Sequence, residues 1–169
     1  MRLITGPKPV LAAVEGSAFG AGMSLAVACD FVIAAQGARF AASFAKIGLS
    51  ADAGLTWLLP QRIGYSRSRW LMISADIVDV DQALAIGLAD ELSPTGGALD
   101  AARASANQIS ALAPLSIAAV KATLANPPET LDEVLNTELD NQVRLVTSAD
   151  YIEGRTAFIE KRAPVFIGA

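Results

Sequence analysis

EGSAFGAGMSLAVACD, residues 15–30, is a stretch of small residues that joins a predicted strand to a predicted helix. The apolar run Val10–Val14 precedes it and predicts a strand buried on both faces, whereas the residues that end the stretch suit a helix. The three glycines in the stretch allow a sharp turn or a close approach to the backbone. A helix that begins near Ala21 would point unpaired N–H groups outward, so the turn suits an anion that forms during a reaction.

Composition limits the classes of protein to which the chain can belong. Its 169 residues fit one domain on length alone, and 53% of them are apolar, without the run of roughly 18 apolar residues that a membrane span needs. The surplus of apolar residues therefore points to subunit contacts or a ligand pocket. The net charge of −4 and the lack of a basic cluster argue against nucleic acid as the main partner.

The cysteine and histidine content limits the kinds of reaction that the chain could catalyse. Cys29 is the single cysteine, so no intrachain disulfide can form and a reducing, cytoplasmic setting is expected. No apolar segment of the signal-peptide type follows Met1, which agrees with that expectation. Because the chain contains no histidine, acid–base work would fall to carboxylates, lysine or tyrosine, and no metal site is predicted.

The order of predicted elements is an α/β first half followed by an all-helical second half. The clearest linker, Ser93–Gly97, separates them. Strands are predicted at Val10–Val14, Phe31–Ala35, Arg39–Ala42 and Asp90–Leu92. Helices are predicted at Met23–Cys29, Leu55–Ile63, Tyr65–Ala75, a short segment between Asp79 and Gly87, Leu99–Leu112, Leu115–Leu124, Thr130–Val146 and Asp150–Lys161.

Two side-chain pairs have the capping-box pattern that marks a helix start. Asp79 with Gln82 predicts the start of the short helix, and Thr130 with Glu133 predicts the start of a long one. Gly87 suits the left-handed position that follows the end of the short helix. These local signals place both helices independently of hydrophobic periodicity.

The turn at Phe19–Gly22 has two interpretations on its residues alone. Small residues are common where a strand and a helix pack closely, and outward N–H groups suit an anion. The spacing of Gly16, Gly20 and Gly22 does not match the dinucleotide fingerprint G-x-G-x-x-G, and no acid ends a strand at the distance that a ribose requires. A dinucleotide site is therefore excluded, and the other two interpretations stay open.

The segment Phe44–Gly54 reads FAKIGLSADAG and predicts a loop whose single acid is Asp52. That aspartate precedes a predicted helix that begins near Gly54. It could cap this helix, or it could act as a base in a catalytic site. The residues alone favour the capping role.

Several short segments, spread in order along the chain, together form a recognisable sequence pattern. They are Lys8–Val14, Gly16, Ala18, Gly20, Gly22, Leu25, Ala26, Cys29, Asp30, Phe40, Ile47–Leu49, Asp52–Gly54, Leu59–Gly64, Ala83–Leu88 and Ala157–Arg162. This series closely resembles the enoyl-CoA hydratase/isomerase (crotonase) superfamily. The resemblance covers essentially the whole chain.

The resemblance implies an α/β, crotonase-like spiral of β-β-α turns. This chain would hold the C-terminal part of that spiral in residues 1–95, followed by an all-helical trimerisation region in residues 96–169. The implied partners are an acyl-CoA thioester substrate and further copies of the chain in a homotrimer or a dimer of trimers. Coenzyme A would enter as part of the substrate, with no separate cofactor.

The resemblance also implies an oxyanion hole of two backbone N–H groups for the thioester enolate. One donor would be Ala21, with Gly20 and Gly22 shaping the turn around it. The other donor is implied to lie before Met1. Losing one such donor typically lowers the rate by about 10²–10³-fold.

Two acids of the family's hydratases are replaced in this sequence. Those hydratases add water with two glutamates, whose positions here correspond to Ser24 and Phe44, both implied to line the substrate site. A serine cannot act as a general base alone, and a phenylalanine cannot act at all. Hydration by the usual mechanism is therefore disfavoured.

Asp52 matches the position at which double-bond-shifting isomerases of the family carry a catalytic aspartate. The surrounding segment, Ala45–Gly64, resembles the branch that includes the ring-rearranging isomerase of phenylacetyl-CoA breakdown. With the resemblance, catalysis is favoured over capping for Asp52. A catalytic Asp52 is expected to be partly buried in an apolar pocket, with walls from Phe44, Leu49, Leu55 and Trp57.

Two further charged residues are candidates for a role in the site. Lys161 resembles the position that reaches the CoA phosphates of a neighbouring subunit, although a helix C-terminus favours a lysine in any case. Glu15 precedes the turn and could hydrogen-bond backbone groups, and a capping or solvated role is favoured over that of a base.

The leading hypothesis is therefore an acyl-CoA isomerase of this superfamily that works through an enolate, with Asp52 as the base and Ala21 as a donor. One alternative is an enoyl-CoA hydratase (lyase). Another is a truncated or catalytically silent member that acts as an assembly subunit.

Overall fold

The computed structural model describes residues 2–169, which form two compact units. One unit is Val10–Ser105, and the other combines residues 2–9 with residues 106–169. The predicted division into residues 1–95 and 96–169, as spiral core and trimerisation region, stays a prediction. The strands are β1 (Leu11–Val14), β2 (Ser17–Phe19), β3 (Phe31–Ala35), β4 (Arg39–Ala41), β5 (Val78–Asp79) and β6 (Glu91–Ser93).

The predicted helices all form and follow the predicted order, and two short helices were not predicted. The helices are α1 (Arg2–Thr5), α2 (Ala21–Val27), a 3₁₀ helix (Ser43–Ile47), α3 (Leu55–Ile63), α4 (Tyr65–Ser74), α5 (Val80–Ala85), α6 (Ala98–Ser110), α7 (Pro114–Ala125), α8 (Leu131–Leu145) and α9 (Ala149–Glu160). The two that were not predicted are α1 and the 3₁₀ helix, which lies at the start of the predicted loop. No single helix among the described residues is long and apolar enough to span a membrane, although the bent pair α6 and α7 together reaches that length and composition.

The strands of the unit Val10–Ser105 form two three-stranded sheets. The first has the order β1-β3-β6 and is parallel throughout, and the second has the order β2-β4-β5 with only the β4–β5 pair antiparallel. The first four strands alternate between the sheets: β1 and β3 belong to the first sheet, and β2 and β4 belong to the second. This alternation agrees with the β-β-α turns expected from the sequence.

Aspartates set the register of the first sheet. Asp30 precedes β3, and its Oδ2 accepts a hydrogen bond from the N–H of Val10 at 2.7 Å. Asp90 precedes β6, and its Oδ2 accepts one from the N–H of Val32 at the same distance, 2.7 Å. Arg62 forms an ion pair with Asp90, and its Nε donates to the carbonyl oxygen of Leu88 at 3.0 Å. The aspartate that precedes β3 or β6 therefore ties the start of that strand to the backbone at the parallel neighbour.

Both predicted capping boxes are confirmed. At α5 the Asp79 side chain accepts from the N–H of Gln82, and at α8 the Thr130 side chain accepts from the N–H of Glu133. Gly87 follows α5 with a φ of 79°, the left-handed geometry predicted for it. These elements depend on short-range contacts, so local sequence suffices to place them.

Two local predictions are wrong. Only Val14 of β1 is buried, because β1 is an edge strand that pairs with β3 alone in the described chain. The stretch after β1 is not a turn that leads straight into a helix, since Ser17–Phe19 forms β2 and pairs with β4. A strand of three residues between two glycines carries too little periodicity to be recognised.

The C-terminal tail is held on α9 within the second unit. Asp150 is only 3% exposed, and its carboxylate accepts hydrogen bonds from the N–H groups of Ile167 at 2.7 Å and Gly168 at 3.0 Å. At the other end of this unit, Lys121 Nζ donates to the carbonyl oxygens of Leu3 at 2.8 Å and Lys8 at 2.9 Å. Buried charged side chains thus fix both chain ends to helices.

Candidate active site

The turn between β2 and α2 presents an exposed backbone amide. Gly20 has φ 54° and ψ −121°, a conformation that glycine adopts far more readily than other residues, and its N–H donates to the carbonyl oxygen of Ala41 at 2.9 Å. The helix then begins at Ala21, as predicted, and Ala21 is exposed. The first amide of a helix has no intrahelical acceptor, so the Ala21 N–H is available to an anion.

Gly22 lies one residue inside α2. A Cβ added there would meet no heavy atom of this chain within 4 Å, so no neighbour within residues 2–169 requires glycine at this position. The open space above Gly22 is therefore free for a molecule outside the chain. Its predicted role in shaping an oxyanion hole stays a prediction.

Ser24 lies beneath the turn. The residue is 0% exposed, and its Oγ donates to the carbonyl oxygen of Gly20 at 3.3 Å. The hydroxyl is therefore used within the first turn of α2, and it supplies no acid to the turn. The predicted contact of Ser24 with substrate stays a prediction.

Phe44 packs beside the turn from the 3₁₀ helix. Two of its ring atoms, Cε1 and Cζ, lie 3.9 Å from the position that a Cβ on Gly20 would occupy, and the residue is buried. An apolar ring thus lies next to Gly20, the residue that precedes the Ala21 amide. Such a neighbour lowers the local dielectric, which strengthens the interaction of an amide with an anion.

Asp52 does not cap the helix that follows it. The first residue before α3 is Gly54, which makes no side-chain cap, and the N–H of Leu55 donates to the backbone carbonyl of Asp52 at 2.9 Å. Within residues 2–169 the Asp52 carboxylate makes no hydrogen bond and no ion pair. The capping interpretation is therefore wrong, and the carboxylate remains unused by the fold.

The backbone next to Asp52 is unusual. Ala53 has a φ of 46° and Gly54 a φ of 84°, so two consecutive residues are left-handed. A left-handed alanine costs about 1–3 kcal/mol, and such residues cluster at functional sites. The strain fixes the direction in which the chain leaves Asp52 and enters α3.

The expected apolar pocket around Asp52 is not formed by this chain. Asp52 is exposed, so the prediction of partial burial is wrong for the described residues. Leu49 is 60% exposed and Trp57 is 67% exposed, whereas Leu55 is fully buried in the core. Of the four predicted walls, Phe44 and Leu55 are therefore packed against the chain itself, and the other two present apolar surface outward.

Glu15 has a structural role that agrees with the predicted one. Its Oε1 accepts a hydrogen bond from the N–H of Ala98 at 2.8 Å, and its Oε2 accepts one from the N–H of Gly96 at 3.1 Å. These amides lie at the start of α6. Glu15 therefore caps a helix and is not placed as a base.

Lys161 ends α9 in the second unit. It is exposed, has a left-handed φ of 55°, and follows the last helical residue. The neighbouring Arg162 donates two hydrogen bonds to Glu153, which together with the N–H of Val165 lower the pKa of Glu153 to about 2. Arg162 is thus committed to the fold, and Lys161 is the cation beside it that points to solvent.

We expect the Gly20→Ala change to lower the free energy of unfolding by about 1–3 kcal/mol, because alanine tolerates the Gly20 backbone poorly. The nearest atoms, on Ser43 and Phe44, lie 3.7–3.9 Å from the added Cβ, so the cost comes from the backbone rather than from a clash. Urea unfolding measures the effect. Gly22→Ala is the matched control, and it should be neutral or stabilising by up to about 1 kcal/mol, since Gly22 lies in the helix. Equal effects of the two changes would contradict this reading of the turn.

Comparison with known proteins assigns the family. The enoyl-CoA hydratase/isomerase profile matches residues 1–169, and the chain belongs to that family. It has the α/β fold of crotonases: an enoyl-CoA hydratase of Polaromonas sp. JS666 matches 98% of this chain with a TM-score of 0.93 and 37% identity. The match covers 65% of that crystallised chain.

The curated relatives carry names from more than one branch of the family. A protein of Rhodobacter capsulatus named "Probable enoyl-CoA hydratase" is 43% identical over 96% of this chain, and the 1,2-epoxyphenylacetyl-CoA isomerase of Escherichia coli is 38% identical over 99%. The chain spans 63% and 64% of the length of these two relatives. The family is thus defined, as a hydratase or isomerase family that acts on acyl-CoA, whereas the reaction branch is not.

Proposed function

We propose that this chain belongs to an enzyme that shifts a double bond or rearranges a ring in an acyl-CoA through a thioester enolate. The observation that carries the proposal is that the unit Val10–Ser105 holds both an exposed amide, at Ala21, and an exposed carboxylate that the fold leaves unused, at Asp52. Ser24 and Phe44 occupy the positions of the hydratase acids. A mechanism that needs a single carboxylate fits these residues better than one that needs two.

The proposed reaction moves one proton and adds no water. The Asp52 carboxylate removes a proton from a carbon that the thioester has made acidic, and the electron pair of that C–H bond passes into the thioester carbonyl to form an enolate. The Ala21 N–H stabilises the enolate oxygen. In a double-bond shift, the protonated Asp52 returns the proton to another carbon as the enolate collapses, so the base is regenerated.

The remaining parts of the site are proposed from the family pattern. A second N–H donor would come from the part of the relatives' length that this chain does not match. Leu49 and Trp57, both exposed here, would contact the acyl group or the residues that complete its pocket. Lys161 would bind CoA phosphate across a subunit boundary in a homotrimer or a dimer of trimers.

Hydration is the second candidate reaction, because the chain is similar both to an isomerase and to proteins named as hydratases. The likeness to the 1,2-epoxyphenylacetyl-CoA isomerase supports an isomerisation, and the likeness to proteins named as hydratases supports the addition of water. In the second case an acid from outside this chain would have to activate the water. A third candidate, a silent assembly subunit, needs no reaction.

One assay separates the candidates. The purified protein is incubated with 3-hexenoyl-CoA, 1,2-epoxyphenylacetyl-CoA or crotonyl-CoA in water labelled with heavy oxygen, and the products are separated from the substrate by liquid chromatography before mass spectrometry. An isomer of unchanged mass supports the proposal, whereas crotonyl-CoA converted to a hydroxyacyl-CoA with solvent oxygen supports the hydratase. Acyl-CoA binding without turnover on any of the three would contradict both and support the silent subunit.

A further inference from the structure

We propose that Glu15 is a positioning residue. It holds the turn between β2 and α2, which presents the Ala21 amide, in place by anchoring the chain before that turn to the start of α6. The proposal rests on the proposed function, in which the Ala21 N–H stabilises an enolate oxygen. Both carboxylate oxygens of Glu15 are occupied by backbone amides, those of Gly96 and Ala98, which lie 81 and 83 residues further along the chain. A side chain five residues before the turn is therefore tied to a distant element.

The segment between Glu15 and the turn is short and is held along one edge only. The carbonyl oxygen of Gly16 accepts from the N–H of Arg39 at 2.8 Å, β2 pairs with β4, and the N–H of Gly20 donates to Ala41. Within the described chain, β4 is the single strand partner of β2. The Nη2 of Arg39, at the start of β4, also donates to the Oγ of Ser17 at 3.2 Å, whereas the two hydrogen bonds of Glu15 tie the beginning of this segment to the start of α6 instead.

The chemistry of the anchor explains why a carboxylate serves here. Two amide donors need two acceptors, and a carboxylate provides both in a bidentate arrangement. The start of a helix of thirteen residues, Ala98–Ser110, also favours a negative charge. Ala98 is fully buried, so its amide relies on a protein acceptor rather than on bulk water.

The anchor would affect the reaction by setting the position of the Ala21 amide. An oxyanion donor is effective only when it is held at hydrogen-bond distance from the atom that acquires the charge. Movement of β2 at its Glu15 end would shift Gly20 and the Ala21 amide without removing either. Loss of the anchor should therefore lower kcat and leave KM almost unchanged, because the proposed CoA contact, Lys161, lies on a different element.

Hydrogen–deuterium exchange of the whole protein tests the anchor without any assumption about activity. The Glu15→Ala change removes both acceptors and should speed amide exchange in a peptide covering residues 17–23 by about tenfold, while exchange in β3 stays the same. Glu15→Gln keeps one acceptor oxygen, so it should give a smaller increase. Unchanged exchange at residues 17–23 in both variants would overturn the proposal.

Turnover provides the second readout. With whichever acyl-CoA the wild-type protein converts, Glu15→Ala should lower kcat by about tenfold with KM within twofold, and Glu15→Gln should lie in between. The matched control is Glu91→Gln, because Glu91 also binds α6, through the Oγ of Ser105 at 3.2 Å, but does not precede the turn. An equal loss in the control, or a normal kcat in Glu15→Ala, would overturn the positioning role. A wild-type protein without turnover would refute the proposed function, and the exchange result would still decide whether Glu15 anchors the turn.

Discussion

The Asp52→Asn change should lower isomerase turnover by about 10²–10⁴-fold, with KM and the mass of the assembly unchanged. An asparagine has nearly the same shape as an aspartate, but it cannot accept the substrate proton. The fold does not depend on the charge, because the contact that Asp52 makes with Leu55 runs through its backbone carbonyl. We therefore expect the free energy of unfolding to change by less than about 0.5 kcal/mol.

Steady-state kinetics on the acyl-CoA that the wild-type protein converts, together with urea unfolding, checks this prediction. Asp81→Asn is the matched control, since Asp81 is also an exposed acid near the start of a helix in the same unit. The control should retain full turnover. Retention of turnover in Asp52→Asn would remove Asp52 from the mechanism and would favour an acid from outside this chain.

The Leu139→Lys change should convert the proposed homotrimer to monomers, with a threefold fall in mass. Helix α8 has no buried residue, and Leu131, Leu135, Leu139 and Val143 recur along it at intervals of four, all more than half exposed. Leu135 and Leu139 also line a groove of about 1120 Å³ formed by residues of α7, α8, α9 and the tail. An apolar stripe of this length needs a cover, and burying a charge in that cover is costly.

Analytical ultracentrifugation at several protein concentrations measures the effect. Because each copy in a trimer carries the substitution, we expect the dissociation constant to rise by at least about 100-fold. Asp140→Lys is the matched control: Asp140 is adjacent on the same helix, exposed and outside the groove, so its mass should match that of the wild type. An unchanged mass in Leu139→Lys would show that α8 is not the assembly surface.

The elements that local sequence could predict are those stabilised by local contacts. β3 forms at the predicted residues, Phe31–Ala35, and α2 begins at the predicted Ala21. The capping boxes at Asp79 and Thr130 are also correct, because each closes within four residues. β2 was not predicted, since its three residues become a strand only through pairing with β4, about twenty residues later.

The candidate site also combines features that local sequence predicts with features that it does not. The residues Gly20, Ala21 and Asp52 could be named from their types and order, but their surroundings could not. A catalytic Asp52 was expected to be partly buried, whereas the carboxylate is exposed and unpaired within residues 2–169. Conversely, Glu15 is an acid that could in principle act as a base, and only its two long-range hydrogen bonds show that it caps α6.

From the amino-acid sequence alone, the resemblance of short segments indicated the family and implied the β-β-α order. Glycine placement and hydrophobic pattern, which act within a few residues, predicted the exposed amide at the start of α2. Tertiary structure alone decided which carboxylate is committed to the fold and which is left for chemistry. Glu15 and Asp52 are both acids close to small-residue turns, and their difference comes from backbone donors brought together by folding: two amides from residues 96–98 meet Glu15, and none meets the side chain of Asp52. Long-range hydrogen bonding, which no local pattern encodes, therefore separates the structural acid from the candidate catalytic one.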